Sequence, residues 1–216
     1  MEDLYFNEII EAVGGQRIGG GQDGRAKGVS IDSRTVQNGD LFFALKGERV
    51  DGHHYILPAM KSGAAGAVVS RVENTGVAHE HFPVICVKDT VKALGDLARY
   101  YRRKLPAKII GITGSNGKTT TKEMTYHVLS QFGSVARSQK SFNNFIGVPL
   151  TIFAIENRHQ YGVLEMGTNA PGEIRRLSEI GVPDVAVILN VSQTHLEGLG
   201  STDGVASAKG EILENI

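Results

Sequence analysis

Neither charge sign is in excess in this 216-residue sequence, where 23 Lys plus Arg stand against 23 Asp plus Glu. Such a balance gives no chain-wide field to attract nucleic acid or an anionic membrane surface, so any anion site has to be built locally. Cysteine is nearly absent. The single Cys86 has no partner for an internal disulfide, and its run Pro83-Val-Ile-Cys-Val87 reads as a buried strand, which suits a reducing cytoplasm. Long apolar stretches are also lacking: none approaches the roughly 20 residues of a membrane span, and the acidic start Met-Glu-Asp is unlike a secretory signal. Internal repeats and low-complexity tracts are missing. What is plentiful is glycine, at 27 residues, a surplus that points to tight turns or phosphate loops. The length leaves room for two modest domains.

Helical spacing of Phe6, Ile9, Ile10 and Val13 predicts a first helix stopped by Gly14-Gly15, followed by a glycine-rich connector to about Gly28. Strand-like runs follow at 28–31, 41–44, 67–70 and 84–87, with a helix over 55–62. Asp89 or Thr90 can cap a helix carrying Val91, Leu94, Leu97, Ala98 and Tyr101. Arg99, Arg102, Arg103 and Lys104 crowd its end, read as a solvated basic terminus favoured by the helix dipole. Pro106 terminates it, and the domain boundary is set near residue 105. Beyond it, β-branched strands at 108–113, 162–166 and 185–191 alternate with loops and helices. The fold class is therefore α/β, a small mixed α/β domain (1–105) followed by a parallel-sheet domain (106–216) that binds ligands at the C-terminal ends of its strands. The pattern stops at Ile216, inside a helix starting near Ser201, where a doubly wound domain is not expected to end.

The strongest motif is Gly111-Ile-Thr-Gly-Ser-Asn-Gly-Lys-Thr-Thr120, a strand running into a glycine loop and then a helix. Gly114 and Gly117 let backbone N–H groups of Ser115, Asn116 and their neighbours turn toward phosphate oxygens, and the helix that starts near Lys118 adds its positive end. Lys118 would reach the β- and γ-phosphates, and the Thr119 hydroxyl would meet Mg²⁺. The strict P-loop pattern fails at one position, residue 112, which is Ile where the first glycine should stand. The alternative is a glycine turn capping an amphipathic helix with Met124, Val128, Leu129 and Phe132 as its apolar stripe.

Thr113 to Thr120 resembles the ATP loop of the Mur ligases, Thr-Gly-x-x-Gly-Lys-Thr-[Ser/Thr], and the resemblance covers essentially the whole chain. The segments Ser141 to Thr151, Leu164 to Ile174 and Asn190 to Ser201 are nearest to the branch that adds D-alanyl-D-alanine to UDP-N-acetylmuramoyl-tripeptide with ATP. It implies an amide ligase of peptidoglycan synthesis, cytoplasmic, not inserted in a membrane and monomeric at full length. Glu165 then corresponds to a Mg²⁺-holding glutamate, and His195 to a histidine helping to hold a second ion. Lys209 corresponds to a lysine that becomes carbamylated. Asn143 and Asn144 match a polar loop near ATP and substrate. Without the resemblance, Glu165 can be a helix cap, His195 a loop residue, Lys209 a solvated helix lysine, and the two asparagines a plain turn.

The first domain resembles the family's UDP-binding module through Ser30-Ile-Asp-Ser-Arg34 and Leu41 to His54. Ser33, Arg34 and the turn Gly47-Glu48-Arg49-Val50 would contact the uridine diphosphate, or Asp32, Ser33 and Arg34 simply organise a turn. His53 and His54 read as surface residues rather than metal ligands. The resemblance also implies a third domain that is not in this sequence, so the 216 residues alone are not expected to form an amide. Two rivals remain open: a sister ligase, such as the diamino-acid-adding Mur enzyme or folylpolyglutamate synthetase, and a non-catalytic UDP-sugar or nucleotide-binding module.

Overall fold

A computed structural model describes residues 1–20, 24–72, 82–139 and 142–216, and the chain divides into two units, Met1–Leu97 and Ala98–Ile216. In the first, β1 (Leu4–Tyr5) leads into α1 (Phe6–Val13), which ends where Gly14 adopts a left-handed backbone at φ 59°. Then come β2 (Gln16–Ile18), β3 (Arg25–Ala26), β4 (Gly28–Ser30) and β5 (Asp40–Phe43). A 3-10 turn (Gly52–Tyr55) runs into α2 (Ile56–Lys61), followed by β6 (Gly66–Val69), β7 (Val84–Cys86) and α3 (Thr90–Arg102). The five-stranded sheet has the order β2-β7-β6-β5-β4, parallel except for β2 at one edge.

Both faces of this sheet are covered, as a parallel sheet requires. Phe42, Ala67, Val69 and Val84 pack with Ile56 and Ala59 of α2 on one face, while Leu41, Phe43, Val68 and Ile85 alternate to the other and are equally buried. The glycine-rich connector is a correction. It carries β2, whose Gln16 pairs with Cys86, and β3, which pairs with β1, because sheet edges recruit short segments with little pattern of their own. Residues 21–23 of that connector lie outside the described residues.

The break between the units falls inside α3. At its start, Asp89 Oδ1 accepts from the N–H groups of Val91 and Lys92. At its end, the structure overturns the reading of a solvated basic terminus. Arg102 is buried: its guanidinium donates to the carbonyls of Gly181 and Val182 and to Asp184 Oδ2 at 2.8 Å. Arg103 and Lys104 do stay exposed. Burial lowers the Arg102 pKa, and Asp184 pulls it back up only in part. Spacing alone could not reveal a partner lying some 80 residues along the chain.

The second unit consists of β8 (Lys108–Thr113), α4 (Lys118–Leu129), β9 (Val135–Arg137), α5 (Gly147–Phe153), β10 (Tyr161–Glu165), α6 (Glu173–Gly181), β11 (Val185–Ile188), α7 (Leu196–Leu199) and α8 (Thr202–Gly210). A final 3-10 turn spans Glu211–Asn215. The sheet order is β11-β8-β10-β9, all parallel. Thus β8, with the glycine loop at its end, has a neighbour on each side, and the C-terminal ends of β10 and β11 open beside that loop. Ile109, Ile112, Val163 and Leu164 of the strands, Val148 and Ile152 of α5, and Ile174, Leu177 and Ile180 of α6 make the core.

Two expectations fail in this unit. Met124 and Val128 of α4 face outward, and Phe132, in the turn beyond the helix, is 72% exposed; the side chain of α4 that is buried is Lys122. Periodicity reports that a stripe exists, not which side meets the sheet. The strand expected to run to Val191 ends at Ile188, and the residues after it bond the end of β8 and the glycine loop: Leu189 N–H donates to Thr113 O and Asn190 O accepts from Ser115 N–H.

Candidate functional site

The loop between β8 and α4 takes the shape its glycines permit. Gly117 sits at φ 83°, a left-handed conformation that other residues adopt only under strain. A Cβ on Gly114 would lie 2.9 Å from Leu189 Cβ. The first backbone bond of α4 runs from Thr121 N–H to Gly117 O, so the N–H groups of Lys118, Thr119 and Thr120 precede it and belong to the positive helix end. Lys118 folds back along the loop, with Nζ 2.7 Å from Gly114 O.

Residues after β11 hold the loop from the side. Ser115 Oγ accepts from Ser192 N–H at 2.9 Å and from Thr194 Oγ1, while Asn116 N–H donates to Asn190 Oδ1 at 3.0 Å. Nothing in the sequence marks Asn190 and Ser192 for this role. Their signal, a short polar run after an apolar strand, is too common to single them out.

Glu165 is the last residue of β10, and it is 2% exposed. Its Oε2 accepts from Thr119 Oγ1 at 2.9 Å and its Oε1 from Asn143 Nδ2 at 3.0 Å. Ser138 Oγ accepts from its backbone N–H. A buried carboxylate and a hydroxyl side by side make an all-oxygen pair, the donor type of a hard cation such as Mg²⁺, which keeps several waters and takes further ligands from phosphate. Among the described residues no three His, Cys, Asp or Glu side chains gather into a metal cage, so the protein's own donors fit a site of that kind rather than a closed one.

A pocket of about 140 Å³ next to the loop is lined by Lys118, Asn143, Asn144, His195 and Lys209, with Thr168 and Glu173. His195 is exposed and lies in the loop beyond β11, with a left-handed φ of 55° at the start of α7. Lys209 is no solvated helix lysine. It is 2% exposed, and burial, with Lys118 as a second cause, pushes its pKa down. Asn144 does serve a turn, since its Oδ1 accepts from Ile146 and Gly147 N–H groups, yet it also borders the pocket. Ser141, at the head of that motif, lies outside the described residues.

The first unit has its own cleft of about 490 Å³, lined by Asp32, Ser33, Arg34, Phe42, Leu45, Val50 and Tyr55 among others. Ser33 is buried and Arg34 exposed, its guanidinium forked over Asp32 at 2.9 and 2.6 Å. That pairing and the Arg34 N–H hold the Asp32 pKa down at about 2. The turn-organising role is therefore real for Asp32, while Ser33 and Arg34 also face the cleft. Gly47, Glu48 and Arg49 form an exposed turn closed by Gly47 N–H to Val50 O, and of that turn Val50 borders the cleft.

His53 is a further correction, for it is buried instead of lying at the surface like His54. Its Nε2 accepts from Ser70 N–H at 3.0 Å, so the ring proton sits on Nδ1 and is donated to Asp51 Oδ1 at 2.6 Å. Asp51 also receives Arg71. Burial alone would raise its pKa, but His53 N–H, the His53 ring and Arg71 together lower it to about 2. Asp51→Asn should therefore cost about 2 kcal/mol at neutral pH. A carboxylate depressed on folding stabilises above its unfolded pKa and loses that contribution as pH falls through the folded value. The gap between variant and wild type in thermal unfolding should thus close between about pH 4 and pH 2.

Comparison with known proteins places this geometry. Residues 25–102 match the model described as Mur ligase family, catalytic domain, and residues 112–216 match the Mur ligase middle domain. The UDP-N-acetylmuramoyl-tripeptide--D-alanyl-D-alanine ligase of Bacillus subtilis is 44% identical over 88% of this chain and 41% of its own length. That of Escherichia coli is 41% identical over 100% of this chain and 46% of its own. A crystal structure of MurF from Acinetobacter baumannii superposes with a TM-score of 0.89 at 37% identity, covering 100% of this chain and 47% of that one. The MurF ligase of Thermotoga maritima in complex with ADP gives 0.79 at 35% identity, over 88% and 43%. The chain spans less than half the length of these relatives. With two family models covering consecutive stretches and relatives of about 40% identity along its whole length, the chain belongs to the Mur ligase family.

Proposed function

We propose that this chain carries the UDP-binding and ATP-binding parts of a cytoplasmic amide ligase that joins D-alanyl-D-alanine to UDP-N-acetylmuramoyl-tripeptide in peptidoglycan precursor synthesis. The observation that carries the reading is Thr119 Oγ1 lying 2.9 Å from the buried Glu165 carboxylate at the mouth of a Gly114–Thr120 loop that ends on a helix N-terminus. Residues 106–216 take ATP on that loop, and residues 1–105 take the UDP moiety through Ser33, Arg34 and the turn at Gly47–Arg49.

A carboxylate does not condense with an amine at neutral pH. The γ-phosphoryl group of ATP is therefore passed to the terminal carboxylate of the tripeptide, giving an acyl phosphate and ADP. The amine of D-alanyl-D-alanine then attacks the acyl carbon, phosphate leaves, and an amide remains. Lys118 swings from Gly114 O onto the β- and γ-phosphates, and the loop N–H groups hold the same oxygens in line. Thr119 and Glu165 would hold Mg²⁺, which supplies charge neutralisation on the transferring group. Asn143 fixes the Glu165 carboxylate from its other oxygen. His195, on the pocket rim, would serve a second ion. Lys209, whose charged form is disfavoured by burial and by Lys118, would in its neutral form add CO₂ and release one proton to become a carbamate facing Lys118.

Titrating wild type and Lys118→Ala with a nonhydrolysable ATP analogue in a calorimeter tests the reading. Loss of one charge-assisted contact should weaken binding roughly 10- to 100-fold. Equal affinity of the two proteins would overturn it. The choice of amine is read by phosphate release with D-alanyl-D-alanine, a diamino acid or glutamate offered in turn to the ligase at the full length of its relatives.

A further inference from the structure

Lys122 has no place in the mechanism above, yet it is among the most buried charged side chains of the molecule, 1% exposed. It lies one helical turn beyond Lys118, on the side of α4 that meets the sheet. Its Nζ is 3.4 Å from Glu123 Oε1 and 3.7 Å from Glu165 Oε2. The two carboxylates differ. Glu123 is partly exposed and already engaged by Arg137 Nε at 2.8 Å, which with Lys122 holds its pKa down. Glu165 is buried, and the oxygen that faces Lys122 is the one that also receives Thr119 Oγ1. Burying an ammonium is costly unless an opposite charge compensates it, and the converse holds for a buried carboxylate. Lys122 and Glu165 therefore neutralise each other at the very atoms assigned above to a divalent ion.

We propose that Lys122 is the resident counter-cation of Glu165, making the divalent-ion position unfavourable to a free ion and favourable only when nucleotide phosphates bring extra negative charge to the loop. This rests on the nucleotide-and-metal reading of the loop. A dication approaching Glu165 Oε2 has to share that carboxylate with an ammonium, and at such range in a poorly solvated site like charges repel strongly. The phosphates, cradled by the loop one helical turn away, offset that repulsion. The device commits the site to metal and nucleotide together. Lys122 is thus a positioning residue that acts through Glu165.

The sign of the effect separates this from a merely structural role. If Lys122 only braced Glu165, removing it would loosen the carboxylate and weaken metal binding; as a counter-cation, its removal strengthens it. Free Mn²⁺ is titrated by electron paramagnetic resonance against the 216-residue chain and its Lys122→Met and Lys122→Arg variants, each with and without ADP. Expected is Mn²⁺ binding about tenfold or more tighter for Lys122→Met than for wild type without nucleotide, a smaller gap with ADP, and wild-type behaviour for Lys122→Arg. Mn²⁺ should also raise the melting temperature of Lys122→Met more than that of wild type. Lys122→Gln, which keeps a neutral donor toward Glu165, gives the same reading if Lys122→Met does not fold. Unchanged or weaker Mn²⁺ binding by the neutral variants, with ADP-supported binding intact in all, overturns the counter-cation while leaving the site assignment standing. Absence of Mn²⁺ binding in every protein, with or without ADP, overturns both.

Discussion

Arg102→Ala is expected to destabilise the second unit by about 2–3 kcal/mol, the range for leaving buried carbonyls without their donors and emptying the space of a buried side chain. Alanine would leave the carbonyls of Gly181 and Val182 without their donors just where α6 gives way to the turn before β11. Asp184 would keep Lys108 Nζ and Ile109 N–H, so its charge is not stranded; the loss falls mainly on the carbonyls and on the volume of the side chain. Arg102→Lys should recover only part of the deficit, because one ammonium cannot reproduce a fork that serves two carbonyls and a carboxylate at once. Urea unfolding, followed by circular dichroism, measures both. An Arg102→Ala midpoint corresponding to less than about 0.5 kcal/mol of change would mean that the cluster contributes no more than an ordinary surface site.

Gly52→Ala should cost about 3 kcal/mol and abolish UDP binding, although the substitution adds a single methyl group. A Cβ at this buried position would lie 2.7 Å from both Leu45 N and Leu45 O and 2.9 Å from Ala44 C. All three are backbone atoms, which cannot rotate aside as the end of a side chain would, so the cost belongs at the upper end for overpacking. The backbone bond from Gly52 N–H to Leu45 O closes the excursion that bears the Gly47–Val50 turn, and Leu45, Val50 and Gly52 all line the cleft. Calorimetric titration with UDP reads the binding loss, and thermal unfolding the stability. A variant that binds UDP as wild type does would dissociate this cleft from the nucleotide-sugar.

The contrast between these residues explains how much of the molecule was legible in its sequence. Strands and helices were read within a residue or two where apolar periodicity was strong, as in β5, β8, β10 and α1, since each repeats its own signal. The glycine loop between β8 and α4 was legible because its glycines, lysine and threonines are nearly consecutive. Arg102, His53, Lys122 and Ser138 were not, for each takes its meaning from a partner brought near by the fold: Asp184, Ser70 and Glu165. A lysine on a helix reads as solvated until something shows which side of that helix meets a buried carboxylate. Short β2 and β3 escaped notice for the related reason that a two- or three-residue strand is defined by its neighbour.

The bonds joining Ser115 and Asn116 to Asn190 and Ser192 bear on how the glycine loop comes into being. Each of the bonds to Asn116 spans at least 74 positions of chain. A run of ten residues that looks self-sufficient thus depends for its final contour on a strand added three crossovers later, and loop closure over such a distance comes late in folding. Transplanted alone into another scaffold, the decapeptide would lose its buttress, so what has to travel with it is the β8–β11 pairing.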